Sequence, residues 1–302
     1  MSSKICQDRV VIVTGAGRGI GRAHALAFAR QGAKVVVNDL GAEADGQGNS
    51  TGPAGDVVNE IRAMGGEAIA NGADVADFEA SRELVKSAID TFGRLDVVVN
   101  NAGFLRDRMF LKISEDEWDA VIRVHLKGHF CVSRHAAEYW RNQSKAGNPV
   151  DARIINTSSG AGLQGSVGQS TYSAAKGGIA TLTLVQAAEL GRYGVTANAI
   201  APAARTRMTE AIFSDMKAPE DGSFDENAPE NISPLVVWLG SSESREITGR
   251  VFEVKGGIIG TSDGYRDGPI VDKGGRWEPD EVGAAVQQVI EKSLVPQKVF
   301  GS

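Results

Sequence analysis

The chain has 302 residues, of which 42% are hydrophobic, and it carries a formal net charge of −6 at neutral pH. A chain of this length can bury roughly three-quarters of its unfolded surface, so a single large α/β domain is feasible. The acidic balance argues against the basic surface that binds nucleic acid or an anionic membrane.

The sequence carries no recognisable targeting signal. The N-terminal letters MSSKICQDRV lack the apolar stretch of a signal peptide, and the C-terminal letters KVFGS are not a peroxisomal address. No run approaches the ~18 apolar residues that a transmembrane helix needs. The two cysteines, Cys6 and Cys131, are too few for a disulfide framework and fit a reducing compartment. We therefore expect a cytoplasmic protein.

Short runs of β-branched residues alternate with longer amphipathic stretches along the chain. The runs predict seven strands, at 10–13, 34–38, 68–71, 95–100, 153–156, 195–200 and 251–254. The amphipathic stretches predict helices at 20–31, 77–92, 114–140, 171–190 and 280–294. Strand followed by helix, repeated, predicts an α/β fold with a doubly wound parallel sheet of seven strands and helices on both faces.

Three segments interrupt this alternation. Residues 41–55 read as a long loop, residues 218–234 as a polar, mobile loop or lid, and residues 256–277 as an irregular glycine-rich stretch. Because no linker separates them from the rest, we expect one domain. Its main α/β part covers 6–260, and 261–302 form a C-terminal extension of the same domain.

The letters TGAGRGIG follow the first predicted strand and open the first predicted helix. A strand, a tight glycine turn and a helix N-terminus together form an anion site, because their backbone N–H groups point at a pyrophosphate. Gly15, Gly19 and Gly21 have the spacing G-x-x-x-G-x-G, and Gly17 is an additional glycine. Taken alone, the motif is equally consistent with a glycine-rich turn that binds nothing.

This spacing resembles that of the short-chain dehydrogenases and reductases. The letters NNAG at 100–103, and Ser159 ahead of Tyr172 and Lys176, carry the same resemblance. It implies a Rossmann-type fold, a nicotinamide dinucleotide and no metal. The cofactor contacts that it implies are Gly15, Gly17, Arg18, Gly19, Ile20, Gly21, Asp39, Asp74, Val75, Asn101, Ala102, Gly103, Tyr172, Lys176, Pro202 and Thr206.

Asp39 bears on the choice of cofactor. It ends the letters VVVND, about 20 residues after Gly19. A carboxylate there can accept both hydroxyls of the adenosine ribose and would repel a 2′-phosphate, which favours NAD over NADP. Arg18 argues the other way, because some NADP-preferring relatives place a base there. A solvated acid at a strand end is the alternative reading of Asp39.

Ser159, Tyr172 and Lys176 carry the predicted chemistry. Tyr172 and Lys176 are four residues apart, so they share one face of a helix. We expect Ser159 to hydrogen-bond the substrate oxygen and Tyr172 to take the hydroxyl proton while C4 of the nicotinamide accepts the hydride. The Lys176 ammonium and the nicotinamide charge should lower the pKa of Tyr172 from its ordinary value of ~10. Each residue alone has an ordinary structural explanation.

His125 stands where the family usually has a catalytic asparagine, which holds a water that passes protons to the lysine. An imidazole can hold water or relay protons itself, and a buried structural histidine is the alternative. His125 and His129 lie four residues apart, but HLKGH lacks the glutamate of the zinc motif. We therefore predict no metal site.

The letters VVVNDLG, DEWDAVIRVHLKGHF and YSAAKGGIATL are similar to the dehydrogenase region of peroxisomal multifunctional enzymes of type 2. That resemblance implies an enzyme with a small hydroxy or keto substrate, and a (3R)-hydroxyacyl-CoA is favoured over a hydroxysteroid. The alternative function is a regulator that binds the cofactor without turnover. Residues 208–234 would form the lid, and Arg205 and Arg207 would meet CoA phosphates or remain surface charges. The family also implies a homodimer or homotetramer formed through helices 114–140 and 171–190.

Overall fold

The computed structural model describes residues 4–41, 52–205, 217–262, 264 and 266–302. Within these residues, eight strands form one sheet in the order β3-β2-β1-β4-β5-β6-β7-β8. The strands are β1 (Val10–Thr14), β2 (Lys34–Asn38), β3 (Ala68–Asn71), β4 (Val97–Asn100), β5 (Ala152–Thr157), β6 (Val195–Ala203), β7 (Val251–Lys255) and β8 (Ile258–Ser262).

Helices connect these strands. They are α1 (Gly19–Arg30), α2 (Gly52–Ala63), α3 (Phe78–Phe92), α4 (Glu115–Ile122), α5 (Gly128–Lys145), α6 (Gly160–Gln164), α7 (Ser170–Leu190), α8 (Ser233–Gly240) and α9 (Pro279–Lys292). None of the helices in the described ranges combines the length and the apolar character needed to cross a bilayer.

The sheet is doubly wound, as the sequence predicts. Strands β1 to β7 pair in parallel, and β4 lies beside β1 on the side opposite β2. The chain therefore reverses its winding direction between β3 and β4. The carboxyl ends of β1 and β4 open a crevice at this reversal, which is where open α/β sheets bind their ligands.

Both faces of the central strands β1, β4 and β5 are buried, which explains the apolar runs of these strands. Val11 and Val13 of β1 pack into a core with Phe28 of α1 and Ile61 of α2. The alternate residues of β1 pack on the other face against α3 and α5, around Trp140. Burying one large apolar side chain contributes about 1.5–3 kcal/mol to stability. Because many such side chains are buried on both sides of these strands, the strands form a stable base for the crevice.

The sheet has eight strands rather than the predicted seven, and the eighth is antiparallel. β8 runs back along β7 with Lys255 opposite Ile258, so two glycines alone, Gly256 and Gly257, make the connection. Gly256 has φ +52°, the left-handed conformation that a two-residue hairpin turn requires. The segment 256–277, predicted to be irregular, thus begins with a hairpin.

Three further boundaries differ from the prediction. α2 starts at Gly52, so the predicted loop 41–55 ends in a helix, while 42–51 lie outside the described residues. The predicted helix 114–140 is two helices, joined by a π-helical turn over Arg123–Lys127. The predicted loop 218–234 ends in α8, whose letters SPLVVWLG are buried on almost every side. An apolar run of that length carries no helical period, so the sequence could not distinguish it from a strand.

Candidate active site

A cavity of about 310 Å³ lies at the reversal point of the sheet. Most of the predicted cofactor residues line it, together with three of the four predicted catalytic residues. From the predicted set, the lining residues are Gly15, Arg18, Gly19, Ile20, Gly21, Asp39, Asp74, Val75, Asn101, Ala102, Gly103, His125, Tyr172, Lys176 and Pro202.

The glycine turn brings β1, α1 and the NNAG segment into direct contact. A Cβ atom on Gly21 would lie 2.2 Å from the carbonyl oxygen of Gly15, and one on Gly15 would lie 2.7 Å from Cα of Ala102. Only hydrogen fits at these two positions. The N-cap residue of α1, Arg18, makes no capping hydrogen bond through its side chain. The first-turn amides of α1 therefore face the cavity as anion donors.

Asp39 holds the glycine turn from the end of β2. Its Oδ2 accepts a hydrogen bond from the Gly17 amide at 2.8 Å, and its Oδ1 accepts one from the Gly41 amide at 2.7 Å. Gly17 consequently lies beside Asp39 and not on the wall of the main cavity. Each carboxylate oxygen keeps a second lone pair, so Asp39 can still accept hydrogen bonds from ribose hydroxyls.

Asp74 and Val75 lie on the opposite wall. Oδ2 of Asp74 forms an ion pair with Nη2 of Arg123 at 2.6 Å, and Oδ1 accepts the Ala76 amide at 2.8 Å. Asp77, two residues beyond Val75, caps α3 through the Ala80 amide at 2.8 Å. The charge of Asp74 is thus already balanced, whereas among the residues that the structure describes Asp39 bonds only to neutral amides.

The NNAG segment is fixed to β1 by Thr14. The hydroxyl of Thr14 accepts hydrogen bonds from the amides of Asn101 and Ala102 at 2.9 and 3.1 Å. The Asn101 side chain donates to the carbonyl of Thr14 at 3.0 Å. These bonds hold Ala102 and Gly103 against the cavity as its floor.

Ser159, Tyr172 and Lys176 meet where β5 ends. Ser159 precedes α6, and its hydroxyl lies near enough to the Tyr172 phenol to lower the pKa of that phenol. Lys176 is buried on the inner face of α7, where its Nζ donates to the carbonyl of Thr157 at 2.6 Å. That Nζ lies 5.5 Å from the centre of the Tyr172 ring. Ser159 reaches the cavity through the phenol and does not itself line the main wall.

Burial sets the protonation of this group. It raises the pKa of Tyr172, as does the Asp107 carboxylate, although the Ser159 hydrogen bond lowers it. Burial also lowers the pKa of Lys176 from 10.5 to about 7. In the protein's own groups, burial thus acts against the predicted lowering of the Tyr172 pKa by Lys176.

His125 lies in the π-helical turn and contacts Tyr172 edge-on, with ring centres 5.3 Å apart. Its Nε2 lies 2.7 Å from the carbonyl oxygen and 3.1 Å from the amide nitrogen of Phe104, and we assign the proton to Nε2 because the contact with the carbonyl is shorter. Nδ1 is buried and has no hydrogen-bond partner among the described residues. Burial, reinforced by Lys176, lowers the pKa of His125 to about 3, so the ring is neutral and offers Nδ1 as an acceptor.

Several lining residues were not predicted. The polar ones are Asn38, Arg123, Thr157 and Ser158, which lie within two residues of Asp39, His125 or Ser159 in the sequence. The sequence could have indicated them through their position, because they lie at the carboxyl ends of strands or in the turn before α5. Arg205, considered as a CoA contact, forms an ion pair with Asp225. Thr206 and Arg207, and residues 208–216 of the predicted lid, lie outside the described residues.

The cavity fits a nicotinamide dinucleotide. The uncapped start of α1 suits a pyrophosphate, and Asp39 suits a ribose. Two buried polar atoms of the lining, Nδ1 of His125 and Oγ1 of Thr157, have no partner within the described part of the chain. Among the same residues, no three His, Cys, Asp or Glu side chains gather as a metal site would require.

A doubly wound sheet with this cavity, an acid after β2 and a Ser-Tyr-Lys group defines a nicotinamide-dependent oxidoreductase site. A model of the short chain dehydrogenase family matches residues 9–217, so the chain belongs to that family. It is accordingly an oxidoreductase that acts on CH–OH groups and uses a nicotinamide cofactor.

Individual relatives are close. The crystal structure of a short chain dehydrogenase from Mycobacterium avium superposes with a TM-score of 0.89 at 61% identity, covering 99% of this chain and 100% of that one. Hydroxyacyl-CoA dehydrogenase ChsB1 of Mycobacterium tuberculosis is 45% identical over 92% of this chain and 87% of its own length. Mouse peroxisomal multifunctional enzyme type 2 is 50% identical over 83% of this chain, which spans 32% of that larger protein.

Proposed function

We propose that this protein interconverts a 3-hydroxyacyl thioester of coenzyme A and the corresponding 3-oxoacyl thioester, with NAD as the cofactor. The observation that carries the proposal is the meeting of Ser159, Tyr172 and Lys176 beside a dinucleotide cavity that Asp39 borders. The substrate class rests on relatives that are named hydroxyacyl-CoA dehydrogenase and peroxisomal multifunctional enzyme.

Ser159 and Tyr172 would handle the substrate oxygen. Their hydroxyls lie near each other, so an alcohol oxygen beside them can be held by Ser159 while its proton moves to Oη of Tyr172. Bound oxidised nicotinamide supplies the hydride acceptor and a positive charge that favours the phenolate. Ser159 stabilises the oxygen as charge develops on it, and the reverse reaction uses the same contacts.

Lys176 and His125 would carry the proton onward. A lysine whose pKa is about 7 can accept and release a proton near neutral pH, which an ordinary lysine cannot. Nδ1 of His125 is a buried acceptor beside Tyr172 that has no partner within the described part of the chain. This atom, or a water that it holds, serves as the relay that the family usually builds around an asparagine.

NAD is favoured over NADP because of the uncompensated charge on Asp39. The ion pair with Arg123 balances the other lining acid, Asp74, so Asp39 is the carboxylate that would repel a 2′-phosphate. Arg18 also lines the cavity and is the residue that would oppose this preference.

We further propose a cytoplasmic homodimer or homotetramer. Support comes from α4, α5 and α7, which leave large apolar side chains half-exposed, namely Trp118, Phe130, Leu184 and Val185. Cys6 and Cys131 are both buried thiols, which fits a reducing compartment. Light scattering on the purified protein measures the oligomeric state directly.

The test is a substrate panel with the purified protein. Reduction of NAD and of NADP is followed with (3R)- and (3S)-3-hydroxybutyryl-CoA, their twelve-carbon homologues and a 17β-hydroxysteroid, each repeated on Tyr172→Phe. We expect turnover of a hydroxyacyl-CoA with NAD, and its loss in the variant. Turnover of the steroid alone would replace the substrate assignment. NAD binding without oxidation of any alcohol would indicate a regulator.

A further inference from the structure

The C-terminal tail contacts the segment that connects Ser159 to Tyr172. This connecting segment, residues 165–169, runs from the end of α6 into the start of α7, where Tyr172 lies in the first turn. Ser166 and Phe300 form a parallel β-bridge. The Val167 amide donates to the carbonyl of Phe300 at 2.9 Å, and the Phe300 amide donates to the carbonyl of Gly165 at 3.2 Å.

A second strand-like contact holds the other end of the connecting segment. Arg108 and Gln169 form a parallel bridge, and the Arg108 amide donates to the carbonyl of Gly168 at 2.8 Å. The Gln169 side chain donates to Asp107 at 3.0 Å, and Asp107 is the carboxylate that raises the pKa of Tyr172. The connecting segment therefore lies between residues 107–108 and the tail.

Two glycines make the connecting segment dependent on these contacts. Gly165 and Gly168 both have φ +78° and flank Ser166 and Val167. Glycine restricts its own backbone least, so a segment with a glycine at each end is held mainly by its neighbours. Without the tail, the Val167 amide would lose its hydrogen bond.

The ring of Phe300 packs beside Ser159. A Cβ atom built on Gly160, the residue after Ser159, would lie 3.2 Å from Cε2 of Phe300. The ring is 49% exposed, so one side covers the Gly160 backbone and the other remains open to solvent. Val299 adds apolar surface, since its methyl groups lie 3.5 Å from a Cβ built on Gly165.

We propose that the C-terminal tail is part of the substrate site: Val299–Phe300 dock as a strand on residues 165–167, and the Phe300 ring forms an apolar wall beside Ser159 for the chain of the substrate. Phe300 is a specificity-determining residue, since it contacts the backbone next to the group that holds the alcohol. A long acyl chain would gain contact with this wall, while a four-carbon acyl group would end short of it. The contact of Phe300 with an acyl chain rests on the proposed function, whereas the docking of the tail on residues 165–167 is independent of it.

The docking is tested without a substrate, by amide hydrogen exchange on the full-length protein and on a variant that ends at Lys298. We expect exchange at Val167 to accelerate at least tenfold in the truncated protein. Phe300→Ala keeps the backbone bridge and should change that rate less than threefold. Leu294→Ala is the matched control, because its side chain is 94% exposed in the same tail. Equal Val167 exchange in the full-length and truncated proteins would overturn the docking.

The wall is tested with 3-hydroxybutyryl-CoA and 3-hydroxydodecanoyl-CoA. In Phe300→Ala we expect KM for the twelve-carbon substrate to rise roughly tenfold, with kcat and the NAD dissociation constant within twofold and the four-carbon substrate unaffected. An equal change in KM for both substrates, or no change for either, would contradict the proposal that Phe300 contacts the acyl chain. If the unaltered protein turns over neither thioester, the proposed function fails, and 2-butanol and 2-decanol replace them as the short and long pair.

Discussion

Asp39→Asn is the substitution that most sharply tests the cofactor preference. The asparagine has the same shape, so one oxygen can still accept the Gly17 or Gly41 amide, and the turn should keep its course. The negative charge is lost. Two like unit charges ~5 Å apart repel by about 3 kcal/mol at an effective dielectric constant of ~20, which corresponds to roughly 100-fold in selectivity.

The assay is the ratio of kcat/KM for NAD to that for NADP, measured with one saturating alcohol at constant ionic strength. We expect Asp39→Asn to lower this ratio roughly 100-fold, mainly by improving NADP, because the repulsion acts only on the 2′-phosphate. Asp74→Asn is the control, since Asp74 lines the same cavity but is balanced by Arg123 at 2.6 Å. It should change the ratio less than threefold.

The result that refutes this reasoning is a folded Asp39→Asn protein with an unchanged ratio. Thermal unfolding of each variant separates that result from loss of the glycine turn. Equal shifts in Asp39→Asn and Asp74→Asn would show that the general charge of the cavity, and not Asp39, sets the preference.

Four other predictions follow from the site and its burial. Tyr172→Phe should lower kcat by a factor on the order of 10³ while the NAD dissociation constant, measured by fluorescence quenching, stays within threefold; a variant with full activity would remove Tyr172 from the mechanism. Lys176 has a pKa of about 7 in the folded protein and 10.5 in the unfolded chain, so the unfolded state binds more protons between pH 7 and 10.5. The free energy of unfolding should therefore rise with pH in this range. Chemical denaturation should show this rise in the native protein and not in Lys176→Met. Gly103→Ala places a Cβ 2.2 Å from Cε1 of His125, so we expect the ring to be displaced and kcat/KM to fall by about 100-fold, with unchanged kinetics as the contrary result. The buried His24 has a pKa of about 3 in the folded protein and 6.5 in the unfolded chain, so the free energy of unfolding should decrease as the pH falls from 6.5 towards 3. In an acid titration, His24→Gln should therefore unfold at a lower pH than the native protein. Equal midpoint pH values would contradict this.

The sequence predicts this fold well where local pattern and burial agree. The β1 and β2 runs are apolar because both faces of the sheet are covered there, and the ends of β1, β2 and β3 match the prediction within one residue. The capping box at Ser114 likewise marks the start of α4, since its hydroxyl and the Glu117 carboxylate satisfy two amides by local contacts alone.

The prediction fails where contacts distant in the sequence decide the structure. α8 is a short apolar run whose helical form depends on packing against α1 and β5. The pKa of Tyr172 depends on how deeply the fold buries it, which no spacing encodes. The bridge between Ser166 and Phe300 joins residues far apart in the chain, and no sequence motif around either residue predicts this pairing.

The most direct test of the central claim follows the hydride itself. The purified protein is incubated with NAD and a 3-hydroxyacyl-CoA that carries deuterium on C3, and the products are analysed by mass spectrometry. The proposed function predicts NADH that is one mass unit heavier, a 3-oxoacyl-CoA without deuterium, and neither product with Tyr172→Phe. Oxidation of the thioester without deuterium in the NADH, or unchanged transfer in Tyr172→Phe, would contradict it.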